Sequence, residues 1–308
     1  MEDASRIVIE ARGLVKNYSD QQVIKKISFQ VEEGECFGLL GPNGAGKSTT
    51  MRMLSCTSPA NEGDLYILGL DARNQANRIQ HQIGIVPQDD GLDPDFSALD
   101  NLIIYAGYFG IDKKEAKRRA LDLLRIMRLE EDRNKSVVEM SIGQRRRLTL
   151  ARGLINEPSL LLLDEPTTGL DPNIRLFMWE YLEELKLKGR SLLLTTHYME
   201  EAERLCDRVA IVDDGKILGI GTPQEMIDYH VGFEVVEFQC RSADVNYYLA
   251  KFKQDFEYQV LKNRIRLFVK DGQDTKSIIG GIDSDSITLR KASLEDVFLK
   301  LAGYDLDH

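Results

Sequence analysis

Several features that would place this chain in a common protein class are scarce or absent. Asp and Glu outnumber Lys and Arg by 50 to 40, and the net charge of −10 argues against a general nucleic-acid binder, which would usually carry a basic patch. We therefore expect no nucleic acid among its partners. The cysteines are few, widely separated and without metal-binding spacing, which suits buried thiols in a reducing compartment. They are Cys36, Cys56, Cys206 and Cys240.

Long hydrophobic runs are also missing from the sequence. The longest apolar run, "LIIYAGYFGI" at residues 102–111, is well below the roughly 18 residues that cross a bilayer. The first residues, "MEDASRIVIE", lack the basic start and apolar stretch of a signal peptide. We therefore expect a chain that does not span a membrane by itself. Its 308 residues, 43% of them hydrophobic, allow roughly two domains with real cores.

Three short apolar runs each end in polar residues. They are "IGIVPQ", "SLLLLDEP" and "SLLLTTH", and they end at Gln88, at Asp164 with Glu165, and at His197. A fourth run, "ECFGLL", leads into a glycine-rich segment. In a parallel sheet covered by helices, ligands bind at the carboxyl ends of the strands. The pattern therefore predicts one shared site.

The segment order predicts an α/β fold with two domains. Alternation in "IKKISFQV" places Ile27, Phe29 and Val31 on one face of a half-buried strand. Residues 89–157 read as helices without a strand, a helical insert within a sheet domain of residues 1–230. Residues 231–308 read strand, helix, strand, strand, helix, strand, then a final helix. That order predicts a small ferredoxin-like α+β domain.

The segment "GPNGAGKST" fits the phosphate-loop pattern G-x-x-x-x-G-K-[ST]. Glycines let backbone N–H groups curl around phosphate oxygens, and the next helix adds its positive N-terminal end. Lys47 would place a point charge on the β- and γ-phosphates, and Ser48 would ligate Mg²⁺. The alternative is a chance glycine-rich turn, against which the preceding strand and following helix argue. The predicted phosphate-binding residues are Gly41, Pro42, Asn43, Gly44, Ala45, Gly46, Lys47, Ser48 and Thr49.

The acidic pair in "LLLLDEP" supplies the second half of such a site. Asp164 would hold Mg²⁺, directly or through water, and Glu165 would be the general base that polarises the attacking water. The alternative, a helix cap, is weaker because burying two carboxylates without a cation is costly. Together the two motifs predict a nucleoside-triphosphate hydrolase.

In "EMSIGQRRRLTLARGL", Ser141 and Gln144 match the S-x-x-Q pattern that caps a helix N-terminus. A capping role alone does not explain why Gly143 lies inside the cap, or why the bulky Ile142 stands beside it.

The motif order resembles the nucleotide-binding subunit of ABC transporters. That order is "GPNGAGKST", "VPQ", "SIGQRRRLTLARGL", "LLLLDEPTTGLD" and "TTH", and the resemblance covers about residues 5–230. It implies a P-loop ABC ATPase domain with a mixed sheet core, an antiparallel β subdomain and the helical insert. It also implies ATP and Mg²⁺ as cofactors.

The resemblance implies roles for four further residues. Tyr18 is placed like the aromatic residue that stacks on adenine, although it could be a half-exposed aromatic. Gln88 resembles the glutamine that touches Mg²⁺ and water and senses the membrane partner; otherwise it is a strand-end amide. Asp171 resembles the residue that links the two sites of a dimer, and its alternative is a cap before Pro172. His197 resembles the histidine that contacts the γ-phosphate.

The "SIGQ" stretch corresponds to the family's signature loop, usually S-G-G-Q. It implies that Ser141, Gly143 and Gln144 reach the γ-phosphate bound to a second ATPase subunit, so that two chains, expected as a homodimer, make two sites. Ile142 departs from the pattern, and one alternative is that it weakens closure of the dimer and slows ATP hydrolysis. We expect it to be tolerated, because a residue in the first helical turn needs only ordinary angles.

The C-terminal part resembles type-2 ABC exporters of the daunorubicin-resistance and nodulation-factor type. This implies separate transmembrane permease chains, a place on the cytoplasmic face of the cell membrane, and an amphipathic, lipid-linked or drug-like cargo. Part of residues 102–111 is expected to line a groove for a permease helix, so that changing Tyr105 or Tyr108 to Glu would uncouple ATPase activity from transport. The C-terminal domain would bind a regulator or serve as a packing or dimerising module. The alternative function is a soluble ABC ATPase with a non-transport role.

Overall fold

The computed structural model describes residues 6–252, 254–261, 263–270, 272–273, 275–283 and 286–302. Its backbone packing separates two compact units, Met1–Ile217 and Leu218–His308. The division falls about one helix earlier than the expected boundary at residue 230. The helix Pro223–His230 packs with the helix Leu294–Ala302, and it therefore belongs to the second unit.

The strands of the first unit run up to its boundary, which falls within the last of these strands. In chain order they are β1 (Ile7–Tyr18), β2 (Gln21–Glu32), β3 (Cys36–Leu40), β4 (Glu62–Ile67), β5 (Leu70–Asp71), β6 (Ile83–Val86), β7 (Leu160–Asp164), β8 (Ser191–Thr196), β9 (Arg208–Asp213) and β10 (Lys216–Gly221).

These strands form two sheets. The antiparallel sheet has the order β2-β1-β4-β5, and Ile27, Phe29 and Val31 of β2 are all buried, as the alternation predicted. The second sheet has the order β10-β9-β3-β8-β7-β6. Its inner pairs are parallel, and β3 and β8 are buried along their whole length, as expected for strands covered on both faces. Asp214 and Gly215, both with positive φ, join β9 to β10 in a two-residue hairpin turn.

The helices of the first unit follow the sheet strands or form the insert. They are α1 (Lys47–Leu54), α2 (Ala76–Gln80), α3 (Ala98–Gly107), α4 (Lys113–Ile126), α5 (Ile142–Gly153), α6 (Pro172–Leu187) and α7 (Met199–Leu205). Helices α3, α4 and α5 lie between β6 and β7, where the helical insert was expected. The residues before these helices are Ser97, Asp112 and Ser141, and the side chain of each accepts a hydrogen bond from a backbone N–H in the first turn of the helix that follows.

The second unit contains helices and an antiparallel sheet. Its elements are α8 (Pro223–His230), β11 (Glu234–Gln239), α9 (Val245–Phe252), β12 (Glu257–Leu261), β13 (Arg264–Val269), α10 (Thr275–Gly280), β14 (Ile287–Lys291) and α11 (Leu294–Ala302). The sheet order is β12-β13-β11-β14, and its neighbouring strands are antiparallel. This is the topology of the predicted ferredoxin-like unit. Phe238, Tyr248 and Phe252 pack in its core.

Among the described residues, none of the helices combines the length and the apolar character that crossing a bilayer requires.

Candidate functional site

The carboxyl ends of four neighbouring parallel strands meet at one edge of the second sheet. The segments that follow β3, β8, β7 and β6 carry the phosphate loop, His197, Glu165 and Gln88. A cavity of about 340 Å³ opens there, lined mainly by residues that follow β3, β6 and β7, and His197 after β8 contacts Glu165 without lining the cavity. Its lining residues are Val23, Asn43, Gly44, Gly46, Lys47, Ser48, Thr49, Gln88 and Glu165.

Two glycines give the phosphate loop its shape. Gly46 precedes α1 with φ of 101°, in the left-handed region that favours glycine. A Cβ at Gly41 would lie 2.1 Å from the carbonyl oxygen of Val212, so that only glycine fits. No side chain caps the N-terminus of α1. The first N–H groups of a helix have no partner within it, and they are therefore available to an anion in the cavity.

Lys47 is buried in the loop that it follows. Its Nζ atom donates to the carbonyl oxygens of Gly41 (2.7 Å) and Pro42 (3.0 Å), and lies 3.5 Å from Glu165 Oε1. Burial lowers the pKa of Lys47, and the nearby Glu165 carboxylate opposes that shift. Oxygen atoms therefore surround the ammonium group at the cavity wall. Phosphate oxygens can take their place as acceptors of its hydrogen bonds.

Ser48 and Asp164 bring oxygen atoms together beside the loop. Ser48 Oγ donates to Asp164 Oδ1 at 3.4 Å, and Thr195 Oγ1 donates to the same oxygen at 2.5 Å. Within the described residues, no group of three or more His, Cys, Asp or Glu side chains could hold a metal ion. The arrangement nevertheless fits Mg²⁺, which usually takes one or two protein oxygens and completes its shell with water and phosphate.

Glu165 has a backbone conformation that is uncommon outside glycine. Its φ is 47°, and its N–H donates to both the carbonyl oxygen (3.1 Å) and the Oγ1 atom (3.0 Å) of Thr195. Its Oε2 atom accepts from Thr168 Oγ1 at 3.0 Å. His197 Nδ1 lies 3.2 Å from the same oxygen, but it is buried without forming a hydrogen bond. Such strain persists where surrounding contacts hold the residue, and it is typical of functional sites.

Gln88, Tyr18 and Asp171 differ in their relation to the cavity. Gln88 lines it with an exposed side chain, whereas Tyr18 and Asp171 do not contribute to its wall. Tyr18 ends β1 with 41% of its surface exposed. Asp171 caps α6, because its Oδ1 atom accepts from the N–H of Ile174 at 3.0 Å. The capping alternative for Asp171 is confirmed, and its link across a dimer stays a prediction.

The signature loop forms the capping box that the sequence predicted. Ser141 Oγ accepts from the Gln144 N–H, and Gln144 Oε1 accepts from the Ser141 N–H. Ile142 begins α5 with 63% of its surface exposed. A Cβ at Gly143 would meet Ile174 at 3.4 Å, an ordinary contact, so packing within the chain does not require glycine there. None of these residues lines the cavity beside Lys47.

Two buried charged residues beside the site were not predicted from the sequence. The first is Arg146 in α5, which is 6% exposed and donates five hydrogen bonds to backbone carbonyl oxygens. The signal that could have found it is a row of three arginines directly after the cap. The five oxygen atoms that accept from the Arg146 guanidinium are the carbonyl oxygens of Pro87, Gln88, Asp164, Glu165 and Pro166.

The second is Glu201 in α7. Its Oε1 atom accepts from Thr167 Oγ1 (2.6 Å) and from Trp179 Nε1 (2.9 Å), and burial raises the pKa of its carboxyl group. It thereby joins α7, α6 and the loop that follows Glu165. The only signal that the sequence offers for Glu201 is that an acidic side chain lies about one helical turn after His197.

Comparison with known proteins identifies the family. The ABC transporter family pattern matches residues 24–168. "Nod factor export ATP-binding protein I" of Mesorhizobium japonicum is 39% identical over 99% of this chain and 90% of its own length. The protein of the same name from Cupriavidus pinatubonensis is 42% identical over 97% of this chain and 92% of its own. The chain belongs to the ABC transporter ATP-binding family.

Solved structures agree with this assignment. An ATP-binding subunit of an ABC transporter superimposes with a TM-score of 0.67 and 30% identity, over 72% of this chain and 92% of its own. A dimeric ATP-binding cassette in a post-hydrolysis state with ADP and Pi gives 0.66 and 26%, over 70% of this chain and 98% of its own. The predicted α/β P-loop ABC fold and the resemblance to the type-2 exporter ATPases are therefore confirmed. The chain is an ATP hydrolase and the ATP-binding subunit of a transporter.

Proposed function

We propose that two copies of this chain bind two ATP molecules between them and that hydrolysis powers export through separate permease chains. The observation that carries the proposal is the cavity in which Lys47, Ser48, Gln88 and Glu165 converge. It offers a cation, free helix N–H groups and a buried carboxylate, but no contact from the signature loop. The site of one chain is thus half of a composite site.

Each residue around the cavity has its own role in hydrolysis. Lys47 and the loop N–H groups bind the β- and γ-phosphates, and Glu165 accepts a proton from the attacking water. His197, close to Glu165, contacts the γ-phosphate, and Tyr18 stacks on adenine. The residues that would hold Mg²⁺ are Ser48, Asp164 and Gln88. Bound there, the ion would neutralise charge that develops on the phosphates.

The second copy completes the site with its signature loop. The first turn of α5, which Ser141 caps and Ile142 begins, offers N–H groups to the γ-phosphate across a two-fold axis. Gly143 leaves room for that phosphate, which explains a glycine that the chain's own packing does not demand. Gln144 supports the loop through the capping box, and Asp171 links the two sites.

Mixing two inactive variants tests the composite site. Lys47→Ala disables the phosphate loop, and Gly143→Asp disables the signature loop by bulk and like-charge repulsion. Each variant alone should be inactive. An equal mixture should regain roughly a quarter of the parental ATPase rate, because half of the dimers contain one intact site out of two. A mixture that stays as inactive as its components would refute sites shared between copies.

The transport part of the proposal rests on the relatives, which carry the name of Nod factor export. We propose a peripheral place on the cytoplasmic face of the membrane, a permease partner and an amphipathic, lipid-linked or drug-like cargo. The two tyrosines of the expected docking surface differ in exposure. Tyr108 is 73% exposed, although its ring makes a T-shaped contact with the Tyr105 ring, whereas Tyr105 also packs against Phe109 and Arg152. Tyr108 therefore presents the larger surface to a partner.

Co-purification from membranes tests the permease partner. The tagged chain should retain a hydrophobic permease, and Tyr108→Glu should uncouple ATPase activity from transport while the subunit stays folded. The matched control is Lys113→Glu, a charge change at an exposed position of the same insert. Purification without any membrane protein would favour the non-transport alternative. Normal transport by Tyr108→Glu would put the docking surface elsewhere.

A further inference from the structure

Arg146 occupies a place that its neighbours in α5 do not share. Arg145 forms an ion pair with Asp90 and donates to the carbonyl oxygen of Met140. Arg147 donates to three carbonyl oxygens, all within the helical insert, those of Met127, Arg128 and Gly143. Of these three arginines, Arg146 is the one whose guanidinium reaches both the segment after β6 and the segment after β7.

The guanidinium of Arg146 joins two loops that carry functional side chains. Its Nη1 atom donates to the carbonyl oxygens of Pro87 (2.6 Å) and Gln88 (3.0 Å). Its Nη2 atom donates to those of Asp164 (2.9 Å) and Glu165 (2.6 Å). The planar fork of arginine, with five N–H donors, matches this set of acceptors, and lysine cannot reproduce it.

The contacts with Arg146 help to fix the backbone of Glu165, the strained residue of the site. The carbonyl oxygen of Glu165 accepts from Arg146, while its N–H donates to Thr195. The left-handed backbone of Glu165, with φ of 47°, is thus held on both sides. A residue in this region relaxes to another conformation unless its surroundings prevent it.

We infer that Arg146 is a positioning residue that keeps Glu165 in its left-handed conformation and locks the Gln88 loop to it. A movement of α5 would then move the Gln88 loop and the carboxylate of Glu165 with it. The inference rests on the proposed role of Glu165 as the general base.

Kinetics of the full chain test this role. Arg146→Gln should lower kcat by ~10- to 100-fold, as expected when a catalytic group is displaced by about 1 Å. ATP affinity should stay within about threefold of the parent, because Arg146 makes no contact with the phosphate loop. Arg146→Lys should retain an intermediate kcat. The matched control is Arg147→Gln, a buried arginine of the same helix, which should lose stability while its kcat stays within about threefold.

A double variant separates positioning from general damage. If Arg146 acts through Glu165, Arg146→Gln added to Glu165→Gln should lower kcat by no more than about threefold further. Full additivity of the two losses would overturn the inference. If Glu165→Gln alone keeps the parental kcat, the proposed base fails. If Glu165→Gln is inactive but Arg146→Gln is fully active, only the inference fails.

Hydrogen exchange provides a readout that does not depend on activity. In Arg146→Gln, the amides of Gln88 and Glu165 should exchange faster together, while those of the remaining insert change little. In Arg147→Gln the insert should be affected instead. Should Arg146→Gln fail to fold, Arg146→Lys carries the test. A lowered kcat with faster exchange in both loops supports the inference, and parental values of both overturn it.

Discussion

The phosphate-loop side and the signature side of the site differ in how far one chain organises them. On the first side Lys47 and Glu165 are each 5% exposed, and atoms of the same chain hold both. On the second side Ile142 is 63% exposed, and Gly143 has no packing reason within the chain. The phosphate-loop side, which we call the organised side, is therefore arranged by atoms of a single chain. The signature side, which we call the exposed side, is the part that we propose a second copy uses.

The largest effect is expected from Glu165→Gln, which removes the proton acceptor from the organised side. The amide keeps size and hydrogen bonding but takes no proton, so kcat should fall by ~10²- to 10⁴-fold while ATP still binds. Single-turnover hydrolysis with parallel nucleotide binding measures both. Glu200→Gln, the same change at an exposed position of α7, is the control. A parental rate in Glu165→Gln would mean that another group is the base.

Lys47→Ala should mainly weaken binding. It removes the cation at the cavity and two hydrogen bonds that shape the loop. We expect ATP affinity to fall by more than about tenfold, or ~1.4 kcal/mol. Equilibrium titration with ATP is the measurement, and the exposed Lys113→Ala is the control. Affinity within about twofold of the parent would show that the organised side does not bind phosphate through this lysine.

The features predictable from sequence were those with short-range signals. The capping box needs only Ser141 and Gln144, three residues apart, and the structure confirms it. Strand ends that carry chemistry follow from apolar runs that stop at a polar residue, such as Gln88. The ferredoxin-like order follows from alternation and turn residues between positions 231 and 291.

The features that escaped prediction depend on contacts between distant segments. The acceptors of Arg146 come from residues far along the chain in both directions, and no local pattern distinguishes it from Arg147. The unit boundary at Ile217 depends on packing between α8 and α11. The partial burial of Tyr105 arises because Arg152 of α5 covers its ring. Only the folded chain brings such groups together.

A smaller effect is expected from Glu201→Gln, which tests how firmly the organised side is held. Burial raises the pKa of Glu201 above 4.5, so its favourable contribution is present at low pH and is lost as pH rises through the folded-state value. Glutamine does not titrate. The stability of the parent relative to Glu201→Gln should therefore decrease as pH rises above 4.5, with a difference of about 1 kcal/mol in unfolding free energy.

Urea unfolding at several pH values measures this difference. Glu200→Gln serves as the exposed control and should follow the parent throughout. A parent that gains stability over the glutamine variant as pH rises would mean that Glu201 is held charged, contrary to its burial.

The smallest effect is expected from Ile142→Gly, which restores the usual S-G-G-Q signature. Ile142 is the first residue of α5, where ordinary helical angles suffice, and its side chain is directed mainly to solvent. Its N–H therefore stays available, and the ATPase rate should change by less than about tenfold, or ~1.4 kcal/mol of barrier. The rate should be measured beside that of Gly143→Asp, which should be inactive. Strong activation by Ile142→Gly would show that the isoleucine obstructs closure, and the exposed side would then restrain this ATPase.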